Sequence, residues 1–304
     1  MRVIETLLRA SIDYAGLFPP AALDMATSVG NYSRYIAGPS AWALGRFILP
    51  AARLPEFETV ATPWFSSSPT QLWRLAALIG SDVAADIELI SGFNRKYGGR
   101  SGARALIDTV EVKATSASAI QSTMAQLPRN LQAYLEIPIE ENPAELIVAI
   151  GQSGARAKVR TGGTTSDAFP GAKPLVRFIQ HCVAAKVPFK STAGLHHALR
   201  AEYRLTYAPD SNTGYMFGFL NLLLATGLLR CGCTLVEAER VLTESSFQAF
   251  DFSDDKISWQ GHTLTLSDVA ESRKLMMSFG SCSFTEPLDD LVALQLLEPR
   301  VQPA

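Results

Sequence analysis

The chain has 304 residues, 47% of them hydrophobic and 18% charged, with a formal net charge of -2. That composition suits a globular protein with a sizeable core, and it offers no basic excess for a nucleic-acid partner. The cysteines, Cys182, Cys231, Cys233 and Cys282, form no C-x-x-C pair, which argues against a zinc ribbon or a disulfide scaffold. The opening run MRVIETLLRASIDYAG is broken by Glu5 and Arg9 and does not read as a secretion signal. The longest apolar stretch, Met216 to Leu229, is shorter than the roughly 20 residues that span a bilayer. A cytoplasmic protein with reduced thiols and no membrane partner is the expectation.

Strand-like segments and amphipathic stretches alternate along the chain. Ser11 to Phe18 and Arg46 to Pro50 read as early strands. Leu72 to Ile79, Ala103 to Val112, Leu131 to Ile137, Ala155 to Arg160 and Val187 to Ser191 follow. Between them, 82–94, 117–127, 143–153 and 173–186 have helical periodicity, with Leu175, Ile179, Cys182 and Val183 on one face of the last. Phe247 to Phe252 supplies an eighth strand, the number that closes a barrel. The expected fold is α/β: a single (β/α)8 TIM-type barrel over 1–304. An open doubly wound sheet shares the local pattern, but no G-x-G-x-x-G follows the first strand.

Three segments break the rhythm. Phe93 to Arg104 is a basic, glycine-rich stretch read as a solvated connection. Ala198 to Gly214 is a polar connection placed over the barrel mouth. Residues 251–265 read as a hairpin turned at Gln260-Gly261, decorating the barrel. Met216 to Leu229 is read as core, with the interface of a homo-oligomer as the alternative.

Strand side chains alternate in direction. If the apolar parity packs on the helices, then Glu111, Lys113, Glu136, Lys158, Arg160 and Lys190 all face the barrel axis, near the strand ends where barrel enzymes place their sites. Charges so placed must pair with one another. The glycine turns Gly162-Gly163 and Gly194 are either tight exits from strands or bare amides for an anion, flanked by Thr161 and Thr192. Asp13, in the segment Asp13-Tyr14-Ala15-Gly16-Leu17-Phe18-Pro19-Pro20, is placed at the mouth, with Tyr14 as the alternative. His196 and His197 are adjacent and cannot both aim at one metal ion; substrate binding is the expected role, while His181 and His262 read as structural.

Lys158-Val159-Arg160-Thr161-Gly162 and Phe189-Lys190-Ser191-Thr192-Ala193-Gly194-Leu195 resemble the two lysine motifs of the deoxyribose-phosphate aldolase family of class I aldolases. Val110-Glu111-Val112 and Glu136 resemble that family's acids on the fourth and fifth strands. The chain departs from the family's pattern at Arg160, Glu111 and His196-His197. The resemblance implies a barrel lyase without a cofactor, acting on a small anionic carbonyl compound. Lys158 would form the Schiff base, Lys190 would lower its pKa by like-charge repulsion, and Glu111 or Glu136 would move protons. Arg160, with Thr161, Gly162, Gly163, Thr192, Gly194, His196, His197, Lys113 and Asp13, would line the substrate site. Two other readings stand beside it: a metal-dependent lyase or isomerase using Glu111, Glu136 and a histidine, and a non-catalytic barrel whose charge ring is structural.

Overall fold

The alternating apolar positions sort the strands into one parallel ring. In the computed structural model, which describes residues 1–67, 71–99 and 103–299, the ring strands are β1 (Ile12–Tyr14), β2 (Leu44–Pro50), β3 (Trp73–Leu78), β4 (Ala105–Lys113), β5 (Gln132–Glu136), β6 (Arg156–Arg160), β7 (Phe189–Thr192) and a closing strand, Met276–Ser281. Each pairs in parallel with its neighbour, and the closing strand joins β7 to β1, so the sheet is a closed eight-stranded barrel. The helices Val83–Tyr97, Ala117–Gln126, Ala144–Gln152 and Ala172–Ala184 fall where the periodicity predicts them.

Val110, Leu135, Val159 and Phe189 are fully buried on the helix side, and Phe189 meets Phe178 of the helix Ala172–Ala184 edge-on at 5.4 Å. On the other side of the barrel Tyr32 packs against Phe47 and Trp73 at 5.4 and 5.1 Å. Tyr14 joins this aromatic cluster, with its hydroxyl accepting from Asn31, so it points at the helices and not at the mouth. Met216 to Leu229 lies mostly in the helix Phe219–Arg230, buried from Phe219 to Leu228 under other helices. Its polar Asn221 is fully engaged, accepting from Arg200 N and donating to the carbonyls of Val241 and Glu244.

One strand assignment is corrected. Phe247–Ala249 is a short 3-10 turn, and Phe250–Phe252 pairs antiparallel with Lys256–Trp259 outside the barrel. The predicted hairpin joins that sheet through Lys256–Trp259 and His262–Thr265, turned at Gln260 and Gly261, whose φ values of 46° and 86° suit a type I′ turn. The true closing strand escapes the apolar pattern because its inward residues are small. Ser278 and Gly280 stand where larger groups from Asp13 and Thr192 take the space.

Phe93 to Tyr97 completes a helix instead of opening a loop, while residues 100–102 of that stretch lie outside the described residues. Ala198 to Gly214 holds a hairpin, Ala201–Arg204 paired with Thr213–Met216. No helix among the described residues is long and apolar enough to cross a membrane.

Candidate active site

The inward charges form one continuous chain. Lys190 Nζ lies 2.5 Å from Asp13 Oδ2 and 2.7 Å from Glu111 Oε1. The other oxygen of Glu111 is 2.7 Å from Lys158 Nζ, which is also 2.7 Å from Glu136 Oε2. Arg160 Nε stands 3.7 Å from the remaining Glu136 oxygen. Three carboxylates therefore alternate with three cations, from the floor of the barrel to its rim.

Backbone register builds this order. Lys158 is the direct partner of both Glu136 on β5 and Lys190 on β7, so their side chains meet on the inner face. Asp13 arrives from β1, where Gly45 leaves room: a Cβ there would stand 2.3 Å from Asp13 Oδ1. Arg46 N and Ser278 Oγ both donate to Asp13, at 2.8 and 2.7 Å. Tyr134 forms the floor, with its ring centroid 5.5 Å from Lys190 Nζ and its hydroxyl accepting from Arg156. Beneath it Asp108 binds Arg46 and Arg74, a separate ion cluster at the opposite end of the barrel.

Burial is the largest influence on Glu111 and raises its pKa, but Lys158 and Lys190 together outweigh it and hold the carboxyl down at about 2. For Lys190 burial favours the neutral amine, yet Asp13 and Glu111 reverse this and lift its pKa above the ordinary lysine value. Glu136 is also lowered: burial opposes ionisation and Lys158 favours it more. The repulsion expected between the two lysines is screened, because Glu111 stands between them.

A cavity of about 410 Å³ opens above the chain, bordered by Glu111, Lys158, Arg160, Lys190, Thr192 and His196, and by Gly163. The buried Thr192 Oγ1 has no hydrogen-bond partner among the described residues. His196 is buried, with Nδ1 3.2 Å from Ser281 Oγ, 3.5 Å from Glu286 Oε2 and 3.7 Å from Cys282 Sγ. Burial would lower its pKa, but Cys282 and Glu286 push it up to about 9.

Other predicted residues stand apart from this cavity. His197 hydrogen-bonds Asp290 at 3.2 Å and stacks on Tyr203, which ties down the hairpin base. Thr161 Oγ1 donates to Ala193 O at 2.7 Å and stitches β6 to β7. Gly162 and Gly194 pack on each other beneath Phe169; a Cβ on either would come within 2.7 Å of that ring, and Gly194 has φ of +72°. They are tight exits from strands. Lys113 is exposed and borders a neighbouring cavity of about 310 Å³, shared with Glu136 and Arg160. Asp13 lies at the floor of the site and not at its mouth.

Sequence reasoning missed Ser278, Ser281 and Cys282, which follow from the closing strand, and Tyr207, whose hydroxyl reaches Cys282 at 3.4 Å and Glu286 at 3.0 Å from the tip of the hairpin. The pattern Met276-Met277-Ser278-Phe279 was the available signal. For the metal reading, Glu111 and Glu136 are both engaged by Lys158, and His196 turns to Cys282 and Glu286. Among the described residues no group of three His, Cys, Asp or Glu side chains converges as a ligand set.

Fold and geometry thus define a class, a parallel (β/α)8 barrel with an alternating lysine and carboxylate chain beneath a cavity at the carboxyl ends of its strands. No protein-family model and no curated protein matches the sequence. Among solved structures, the chain is similar to the crystal structure of the Bacillus cereus spore cortex-lytic enzyme SleL, with 10% identity and a TM-score of 0.41, over 93% of this chain and 74% of that one.

Proposed function

We propose that the protein is a lyase of class I aldolase type, in which Lys158 condenses with the carbonyl of a small anionic compound. The observation that carries the reading is the position of Lys158: its amine borders the cavity and lies 2.7 Å from two carboxylates. A lysine nucleophile must shed a proton before attack. Glu136 is the acceptor of choice, because it is less buried than Glu111 and its second cation, Arg160, stands back at 3.7 Å, whereas two lysines hold Glu111 at 2.7 Å. The free amine adds to the carbonyl carbon, the oxygen leaves as water with two protons, and a protonated imine remains on Lys158. That cation takes up the electron pair of the bond between its α- and β-carbons, which breaks to leave an enamine on Lys158. Glu136 accepts the proton of the β-hydroxyl as the departing fragment leaves as a carbonyl compound; the enamine then regains that proton at carbon and water releases the product. Lys190 stays an ammonium and fixes Glu111, while Arg160 offers a two-pronged contact to the substrate's anion.

A second reading is favoured by the raised pKa of Lys190. Here both lysines remain ammonium ions and stabilise an enolate, with Glu136 moving the proton and no covalent bond to the protein.

Borohydride trapping with small aldehydes and keto acids, followed by peptide mass spectrometry, separates the two. A reduced adduct on Lys158, absent from Lys158→Arg, is the expected result. Loss of protein-catalysed α-proton exchange in Lys158→Met, with no adduct from any carbonyl compound, favours the second reading.

A further inference from the structure

The cavity is divided by strand order. Its charged wall comes from β4, β6 and β7, which carry Glu111, Lys158, Arg160 and Lys190. The facing wall comes from β1 to β3 and their exits, and presents Phe18, Pro19, Ile48 and Leu78. Ile48 and Leu78 share the inward parity of Arg46 and Arg74, so they are not part of the helix-side core. Leu78 is the register partner of Glu111, and the apolar wall therefore stands at the height of the reacting groups.

Backbone donors along this wall are engaged. Ala15 N donates to Ser281 O at 2.8 Å, Phe18 N to Ala15 O at 2.9 Å and Ile79 N to Glu111 O at 2.9 Å. A substrate hydroxyl pressed against the wall would give up its water and gain no donor in return. Such a loss lowers affinity on the order of tenfold. A methylene placed there gains about fourfold.

We infer that the compound bound here carries an apolar tail of several carbons beside its anionic carbonyl end, in place of a chain of hydroxyls. The anionic carbonyl end rests on the function proposed above; the tail rests on the β1 to β3 wall alone. The cavity volume of about 410 Å³ leaves room for both parts.

Calorimetric titration of the full chain with two unreactive six-carbon acids, hexanoate and gluconate, tests the tail without any lysine chemistry. Hexanoate is expected to bind at least tenfold more tightly than gluconate. Leu78→Asn, with its fold checked by circular dichroism, is expected to narrow that ratio at least threefold. Equal or reversed affinities, no binding of either acid, or a preference untouched by Leu78→Asn overturns the inference. Neither acid forms a Schiff base, so a failure of the covalent reading appears only in the borohydride experiment and leaves this result standing.

Discussion

Lys158 and Lys190 are register partners on neighbouring strands and grip opposite oxygens of one carboxylate, Glu111, each at 2.7 Å. Two amines that would repel in an apolar barrel are thereby bridged by one anion a strand apart. The two lysines also lock Glu111 in one orientation, whereas Glu136 is bonded by Lys158 alone of the two.

Removing the shared carboxylate leaves two buried cations short of a partner. Glu111→Gln is expected to destabilise the fold by about 3 to 5 kcal/mol in chemical denaturation. Glu136→Gln, closer to solvent, is expected to fall well below that range. Equal losses from the two variants would contradict the shielding assigned to Glu111.

Acid should unfold the protein through the same site. The pKa of Glu111 falls from its ordinary 4.5 to about 2, so its contribution is fully present above pH 4.5 and is lost as pH falls through about 2. Lys190 is raised, so its share is present below its ordinary 10.5 and is lost only as pH climbs through the higher folded value. The two describe one interaction and do not add. Stability is expected to drop by a few kcal/mol between pH 4.5 and 2, and this slope should flatten in Lys190→Met.

A separate alkaline slope belongs to His196. Its pKa rises from 6.5 to about 9, so its contribution is complete below pH 6.5 and disappears as pH rises through 9. Thermal melts from pH 6 to 10 should show a falling midpoint in that window. His196→Gln should remove the fall and leave the acid limb intact.

The crossing of β6 and β7 depends on missing side chains. Gly194→Ala meets Phe169 at 2.7 Å in a left-handed backbone conformation, and is expected to cost about 1 to 3 kcal/mol. Gly162→Ala meets the same ring, so its penalty should shrink in a Phe169→Leu background. A double-mutant cycle by denaturation measures this, and simple additivity would contradict the contact.

Proton transfer at Glu136 should be visible in trapping kinetics. Glu136→Gln is expected to slow adduct formation on Lys158 by about 100-fold or more, the usual contribution of a positioned acid or base. Lys113→Ala, on the far side of Glu136 in the neighbouring cavity, should change the rate less than about threefold.

Local pattern alone determined most of the barrel. Seven strands and the four helices between β3 and β7 follow from apolar periodicity, because a side chain's direction in a strand is set by parity and needs no knowledge of partners; the helices Met25–Ala37 and Leu54–Ser67 were not read from it. The same rule placed Glu111, Glu136, Lys158, Arg160 and Lys190 on one inner face. Only tertiary structure decided how they connect. The closing strand hid behind small inward residues, Ser278 and Gly280, whose size is dictated by Asp13 and Thr192 on the strands beside it. Asp13, Cys282 and Tyr207 are distant in sequence from the groups they meet, so their contacts with Lys190, His196 and Glu286 exist only once the ring closes. Proton affinity was decided there too: a lysine's sequence neighbours do not reveal whether a carboxylate or another lysine will stand beside it, and here Asp13 and Glu111 keep Lys190 charged.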